Sequence, residues 1–289
     1  MRVIRTNTLG IRVDAVAAND ASFLLDTYRP LGKPGLFTFV NPASVIAARR
    51  DPEYRERLSE FDAVLPDGIG MCWAVRLLHG LDAPRISFDT TSLAPEVFRR
   101  AQQQKLTVAL VGGRPGVAEL GSRHLNRAFP ELPIVATLHG YGDHARTLQE
   151  VRSLSPSIVI CGMGCGPQEN FLLRLADAGW SGTGFTCGGY LDQLAHGLHY
   201  YPRWIDAANL RWAYRLIKEP RRLARRYGID YTLFALQLAA ALLSRTSAPN
   251  SGSHSVIADT PATIGAAGLP EDPNGDLTGY RAEPRSGAA

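Results

Sequence analysis

The sequence predicts an α/β fold with a mostly parallel sheet and helices on both faces. Short apolar runs rich in β-forming residues alternate with helical segments over the first 190 residues. Helices between consecutive strands are typical of crossover connections, which join parallel strands. The composition, 45% hydrophobic and 20% charged, is that of a soluble domain with one sizeable core.

The predicted elements follow one another in a regular order. Six strands are expected at 36–40, 63–66, 106–113, 133–140, 157–164 and 182–189, with helical patterns at 42–61, 70–80, 96–105, 116–129, 146–154 and 168–179. Residues 1–200 are thus predicted to form the α/β domain. A helical appendage is expected at 201–245 and a disordered tail, rich in Gly, Pro, Ser and Thr, at 246–289.

The segment that follows each predicted strand is polar and mostly rich in glycine. In an open α/β sheet, ligands bind beyond the carboxyl ends of the strands, so these segments should lie together. Glycine allows backbone N–H groups to approach a ligand, and a following helix N-terminus favours phosphate. Any one of them could instead be a tight turn that packing requires, but all six together predict a nucleotide site. They are Asn41-Pro42, Pro66–Gly70, Gly112–Gly116, Gly140-Tyr141, Gly162–Glu169 and Gly188–Asp192.

Two common nucleotide-binding motifs are missing from the sequence. The dinucleotide fingerprint GxGxxG does not follow the first strand, and no GxxxxGK[ST] sequence occurs. A nicotinamide-dependent enzyme and a P-loop NTPase are therefore disfavoured.

Three polar side chains at these turns are candidates for chemistry. Asp67 lies between a strand end and two glycines, where it could act as a general base or cap the next helix. Asp192 could orient a sugar hydroxyl, and Gln168 could bind a uracil or a sugar. A structural role is the alternative for both.

A basic block spans residues 200–227. It holds eight arginines and lysines against Asp206 and Glu219, a net charge of +6, while the whole chain carries only +4. The uncharged apolar run 231–243 follows it and is shorter than the roughly 20 residues that a membrane-spanning helix needs. Together they predict an appendage that lies on an anionic membrane surface, with a solvated basic helix as the alternative.

The cellular location follows from what the sequence lacks. No signal peptide or membrane-spanning run is evident, so we expect a cytoplasmic protein on the inner face of the membrane. The four cysteines form no CxxC pair and are expected to be free thiols. We predict no metal site, no cofactor and no nucleic-acid partner, and consider a homo-oligomer possible.

These motifs, in this order, resemble the WecG/TagA/CpsF glycosyltransferases, family 26. The resemblance runs from about residue 10 to about residue 228 and depends on many modest motifs. They are Asn41-Pro42, Asp51–Arg55, Leu65–Gly70, Gly112–Gly116, Gly140-Tyr141, Gly162–Glu169, Asp192, Pro202-x-Trp204 and the segment from Trp212 to Arg222.

The resemblance implies an inverting transferase without a metal. Its members move a sugar from a nucleotide donor, usually UDP-linked, to a lipid-diphosphate-linked saccharide at the cytoplasmic membrane face. It implies Asp67 as the base, with Thr38, Asn41 and Arg85 as further catalytic candidates. The implied nucleotide-sugar contacts are Gly68, Gly70, Gly112, Gly113, Gly140, Tyr141, Gly164, Gln168, Glu169 and Asp192, and the implied diphosphate and membrane contacts are Arg211, Arg215, Arg221, Arg222, Arg225 and Arg226.

The sequence departs from the family pattern in three places. Phe39 replaces a threonine, with Thr38 beside it; Asp89 lies one place early in the segment that begins at Arg85; and Tyr200 stands where an arginine is frequent. The donor sugar is therefore not assigned. A non-catalytic scaffold that binds a nucleotide sugar or a lipid diphosphate is the alternative function.

Overall fold

The chain begins with an antiparallel hairpin that the sequence analysis did not predict. The computed structural model describes residues 2–16, 34–198, 200–202, 205, 211–218, 226–246 and 255–259. The hairpin joins β1 (Arg2–Thr8) to β2 (Ile11–Val16). Its two-residue turn, Leu9-Gly10, has positive φ at both positions, as a tight hairpin turn requires.

A buried carboxylate joins this hairpin to the rest of the domain. Asp14 accepts hydrogen bonds from Arg5 Nε at 3.0 Å and Arg12 Nη2 at 2.6 Å. It also accepts from the backbone N–H of Val64 at 2.9 Å. Burial raises the pKa of Asp14, and the bonds from Val64 and Arg5 oppose that shift.

The six-stranded sheet at the centre is entirely parallel, which confirms the predicted α/β fold. All six predicted strands are present, in the order β4-β3-β8-β7-β5-β6. They are β3 (Gly35–Val40), β4 (Ala63–Pro66), β5 (Val108–Gly112), β6 (Ile134–Leu138), β7 (Ile158–Gly162) and β8 (Thr183–Thr186).

Helices cover both faces of this sheet in a Rossmann-like arrangement. In chain order they are α1 (Pro42–Arg50), α2 (Pro52–Glu60), α3 (Ile69–His79), α4 (Leu93–Gln103), α5 (Val117–Ala128), α6 (His144–Leu154), α7 (Pro167–Asp177) and α8 (Tyr190–His196). Strand residues alternate between two cores: Ala109 and Val111 pack with α1, α2, α3, α6 and α7, while Val108 and Leu110 pack with α4, α5 and α8.

The strand order creates a crevice at the carboxyl ends of β5 and β7. The chain leaves β5 toward β6 on one side and leaves β7 toward β8 on the other. Adjacent strands whose connections diverge in this way open a cleft where ligands of α/β proteins bind. The predicted turns Gly112–Gly116 and Gly162–Glu169 follow these two strands, whereas Asp67 follows β4 at one end of the same sheet.

In the part of the chain that the structure describes, three helical elements follow the α/β domain. They are α9 (Arg211–Lys218), a π-helix (Arg226–Asp230) and α10 (Tyr231–Thr246), which packs against α1 and α3. Among the described residues, no helix is both long and apolar enough to cross a membrane.

One part of the predicted disordered tail is a strand. β9 (Ser255–Asp259) pairs antiparallel with β1 and completes a three-stranded sheet, β2-β1-β9. The pairing supplies the main-chain hydrogen bonds that composition alone does not reveal. The other tail residues, 247–254 and 260–289, lie outside the described residues.

Candidate active site

The glycines at the carboxyl edge fall into two groups. A Cβ on Gly112 would lie 2.2 Å from the Gly162 carbonyl oxygen, and one on Gly113 or Gly140 would also meet close neighbours. Packing thus requires a glycine at Gly112 and leaves little room for a side chain at Gly113 or Gly140, while the predicted nucleotide contacts of all three stay predictions. Gly68 and Gly164 have positive φ and open space around the Cβ position, so their backbone is accessible to a ligand.

Asp67 lies at the end of β4, at the edge where the ligand site was predicted. Its backbone N–H donates to the Val40 carbonyl at 2.8 Å, which fixes it beside β3, and its side chain is 32% exposed. The N-cap of α3 is Gly68, without a side-chain cap hydrogen bond. Asp67 therefore precedes the helix by one residue and is not itself the N-cap residue.

Arg85 lies against Asp67 because the chain returns to the same edge after α3. The backbone N–H of the next residue, Ile86, donates to the Pro66 carbonyl at 3.1 Å. Arg85 Nη1 is 3.6 Å from Asp67 Oδ1 and 3.0 Å from Asp89 Oδ2. Burial by itself would lower the pKa of Arg85, but the two carboxylates hold it above its ordinary value.

Asp89 accepts from two guanidinium groups and two hydroxyls. Its Oδ2 accepts from Arg85 and Arg211, each at 3.0 Å, and from Ser87 Oγ at 2.7 Å. Its Oδ1 accepts from the backbone and hydroxyl of Thr91, both at 2.9 Å. Burial would raise the pKa of Asp89, but these donors hold it below its ordinary value.

Arg211 connects the appendage to this network. Its Nη2 donates to Thr91 Oγ1 at 2.6 Å, and Arg85 Nη2 donates to the same oxygen at 3.2 Å. The guanidinium carbon of Arg211 also lies 5.1 Å from the centre of the Tyr201 ring, within cation–π range. The first arginine of α9 therefore reaches the edge that holds Asp67.

Three predicted site residues lie instead in the interior. Thr38 is fully buried and donates to Glu169 Oε1 at 3.0 Å, while Gln168 Nε2 donates to the same oxygen at 2.9 Å. Gln168 Oε1 accepts from the Gly188 N–H at 3.0 Å. Their polar atoms bond to one another between neighbouring strands and are buried in this structure, while their predicted contacts with substrate stay predictions.

The interior position of Glu169 leads to a pH prediction. Burial raises its pKa, although bonds from Gln168, Gly166 and Thr38 oppose the shift. Stability that depends on the protonated form is then complete below the unfolded-state pKa and falls as pH rises through the higher folded-state pKa. We expect urea unfolding to show that wild type loses free energy of unfolding relative to Glu169→Gln as pH rises from about 4.5.

A difference between the two proteins that stays constant with pH would contradict this expectation. The comparison uses the difference rather than wild type alone, since Asp14 also has a raised pKa. Both variants keep Asp14, so its contribution cancels.

The other predicted site residues lie at the same edge in different roles. Asn41 caps α1: its Oδ1 accepts from the Ala43 N–H at 3.0 Å. Gly70 lies against Pro42, since a Cβ there would be 2.9 Å from Pro42 Cγ. Tyr141 is exposed, and Asp192 is half-buried in the first turn of α8.

The remaining predicted arginines lie partly or wholly outside the described part of the chain. Arg215 lies in α9 and Arg226 in the π-helix, but their side-chain positions are outside the described part of the chain. Arg221, Arg222 and Arg225 lie outside the described residues altogether. Their predicted diphosphate contacts stay predictions.

The roles of Asp89 and Thr91 were not predicted from the sequence, in which Asp89 stood out only as a carboxylate one place early. The signal available was local: Ser87, Asp89 and Thr91 alternate polar oxygens just after Arg85, a pattern suited to hold a guanidinium.

Comparison with known proteins identifies a family that matches most of the chain. The model of the glycosyl transferase WecG/TagA/CpsF family matches residues 6–248. The chain is 30% identical over 217 residues to UDP-Gal:alpha-D-GlcNAc-diphosphoundecaprenol beta-1,4-galactosyltransferase of Shigella boydii, covering 73% of this chain and 88% of that one.

A second similar protein comes from Bacillus subtilis (strain 168). It is an N-acetylglucosaminyldiphosphoundecaprenol N-acetyl-beta-D-mannosaminyltransferase, 28% identical over 201 residues, which cover 68% of this chain and 77% of that one. The family match spans most of the chain, including the parallel sheet, Asp67, Arg85 and Arg211. The chain belongs to the WecG/TagA/CpsF family and is a glycosyltransferase.

Proposed function

We propose that this protein is an inverting transferase that moves a sugar from a UDP-sugar to a saccharide linked to a polyprenyl diphosphate. The Shigella and Bacillus relatives both act, by name, on N-acetylglucosamine linked to diphosphoundecaprenol. Both names also specify a β-linked transferred sugar, the product expected when an α-linked nucleotide sugar reacts with inversion. The acceptor we propose here is accordingly an N-acetylglucosaminyl lipid diphosphate.

The observation that carries the proposal is the partly exposed carboxylate of Asp67 at the carboxyl edge, with Arg85 beside it. In the proposed step the acceptor hydroxyl attacks the anomeric carbon, the bond from that carbon to the phosphate oxygen breaks, and Asp67 takes the hydroxyl proton. UDP leaves with the electron pair of the broken bond. A positioned carboxylate near its substrate hydroxyl is suited to this general-base work.

Arginines are the proposed counter-charges for the departing diphosphate. Arg85 and Arg211 already converge on this edge. A guanidinium group can bind two phosphate oxygens at once, and it stays positively charged at all relevant pH values. We assign the same role to Arg215, Arg221, Arg222, Arg225 and Arg226 of the basic block, in place of a metal ion.

The same basic block is proposed to hold the protein on the inner face of the cell membrane. A lipid-linked acceptor places the reaction at a membrane surface. The net charge of +6 over residues 200–227 favours an anionic surface, with each nearby arginine or lysine contributing about 1 kcal/mol.

The test is release of UDP from a panel of UDP-sugars, with and without N-acetylglucosaminyl-diphosphoundecaprenol in vesicles. We expect one UDP-sugar to give UDP release that depends on the acceptor, and the rate to be unchanged in EDTA. A scaffold that only binds would release no UDP with any pair. Loss of the rate in EDTA, restored by a divalent cation, would overturn the metal-free step.

A further inference from the structure

Helix α3 carries an apolar stripe on its exposed face. Ile69, Trp73 and Leu77 are 48%, 60% and 54% exposed, respectively. Residues four apart lie on the same side of a helix, so the stripe runs along α3 for roughly 12 Å. The buried side of the same helix, with Met71, Ala74, Val75 and Leu78, packs into the core. Three large apolar side chains on the other side of α3 are therefore about half exposed to solvent.

Helix α10 packs against α3 and is also mostly apolar where it is exposed. It carries no charged residue from Tyr231 to Ser244, and Leu233, Leu236 and Leu243 are 40%, 63% and 70% exposed. Its buried Phe234 reaches α3, since a Cβ on Gly70 would lie 3.8 Å from the Phe234 ring. Two neighbouring helices thus expose apolar side chains.

The charge next to these helices indicates what covers them. The basic block, with a net charge of +6, directly precedes α10 in the chain. A two-fold contact between copies through α10 would bring two such blocks together, and their repulsion disfavours it. An anionic lipid surface is complementary to the block in charge and to the helices in apolarity.

We propose that Ile69, Trp73 and Leu77 of α3 enter the membrane together with the exposed leucines of α10, so that the catalytic domain itself forms part of the membrane contact. The proposal rests on the proposed function, because the acceptor is a lipid. Trp73 is the expected anchor at the headgroup level, where tryptophan is enriched in membrane proteins.

The position of the stripe has a consequence for the reaction. Ile69 follows Asp67 by two residues, so the lipid surface begins beside the carboxylate. An acceptor that keeps its polyprenyl chain in the bilayer would present its diphosphate and first sugars at this edge. The contact through α3 would then set the height of Asp67 above the membrane.

The test compares vesicle binding of the full chain and two triple variants. One is Ile69→Ser, Trp73→Ser, Leu77→Ser, and the matched control is Leu120→Ser, Val135→Ser, Leu154→Ser, whose residues are 44%, 41% and 46% exposed elsewhere on the domain. The probe is sedimentation with vesicles of mixed phosphatidylglycerol and phosphatidylcholine, and circular dichroism checks that both variants fold. We expect the α3 variant to bind about tenfold more weakly than the control.

Equal binding of both variants would overturn the proposal. If the wild type formed a dimer that the α3 substitutions dissolved, the stripe would belong to a second copy, which also overturns it. Should the α3 variant fail to fold, the second measurement is quenching of tryptophan fluorescence by brominated lipid in the wild type and in Trp73→Phe. Equal quenching in the two proteins would count against insertion of Trp73. Vesicle binding needs no turnover, so it can hold or fail separately from the transferase assay.

Discussion

Replacing Asp67 with asparagine is expected to lower kcat by roughly 10²–10⁴-fold while the protein folds normally. The amide keeps the size of the carboxylate but cannot accept the proton of the acceptor hydroxyl. The side chain is 32% exposed and its backbone N–H still reaches Val40, so stability should change little. The measurement is acceptor-dependent UDP release, with saturating donor and acceptor.

The matched control is Asp82→Asn, which makes the same charge change three residues before Arg85. Asp82 is exposed and pairs only loosely with Arg76, at 3.6 Å. We expect it to keep wild-type kcat. If Asp67→Asn turned over as fast as this control, Asp67 would not be the base, and the proposed chemistry would need another carboxylate.

The strands could be predicted from sequence because each is an apolar run bounded by glycine, proline or polar residues. The hairpin of β1 and β2 escaped because its turn is Leu9-Gly10 rather than a typical Asn-Gly pair. Its strands also carry Arg2, Arg5, Arg12 and Asp14, which weaken the alternating apolar pattern. The charge on Asp14 is matched by partners that only the folded hairpin supplies.

The sequence predicted which end of the strands holds the site, but it did not predict which side chains contact each other there. Sequence placed Thr38, Gln168 and Glu169 at the carboxyl ends of strands, but it could not show that their side chains turn into the interior and bind each other. The partnership of Asp89 with Arg211 was equally hidden, because 122 positions separate the two residues. Such pairings depend on how the appendage returns to the sheet.

Replacing Asp89 with asparagine is expected to lower kcat/KM by roughly 100-fold and to shift the acidic limb of its pH profile to lower pH. In the wild type, Arg85 Nη1 lies 3.0 Å from Asp89 and 3.6 Å from Asp67, so Arg85 forms its closer ion pair with Asp89. Without it, Arg85 would pair more closely with Asp67. A carboxylate bound to a nearby guanidinium is a weaker base with a lower pKa.

Asp89→Asn should also weaken the fold and release α9. Two guanidinium groups lose their shared carboxylate, which costs about 2 kcal/mol after allowance for their partial exposure. Arg211 would lose its strongest partner, and limited proteolysis should then cut the chain between α8 and α9 more readily than in wild type. The pH profile separates this loss of stability from an effect on the base.

Arg211→Ala is the control that separates the contact with α9 from the effect of Asp89 on Asp67. It removes the contact between α9 and the Asp89 turn but leaves Arg85 between Asp89 and Asp67. We expect faster proteolysis with little shift of the acidic limb. If both variants shifted the acidic limb equally, the effect would come from the appendage. A shift confined to Asp89→Asn would mean that Asp89 holds Arg85 away from Asp67 and so keeps Asp67 a stronger base.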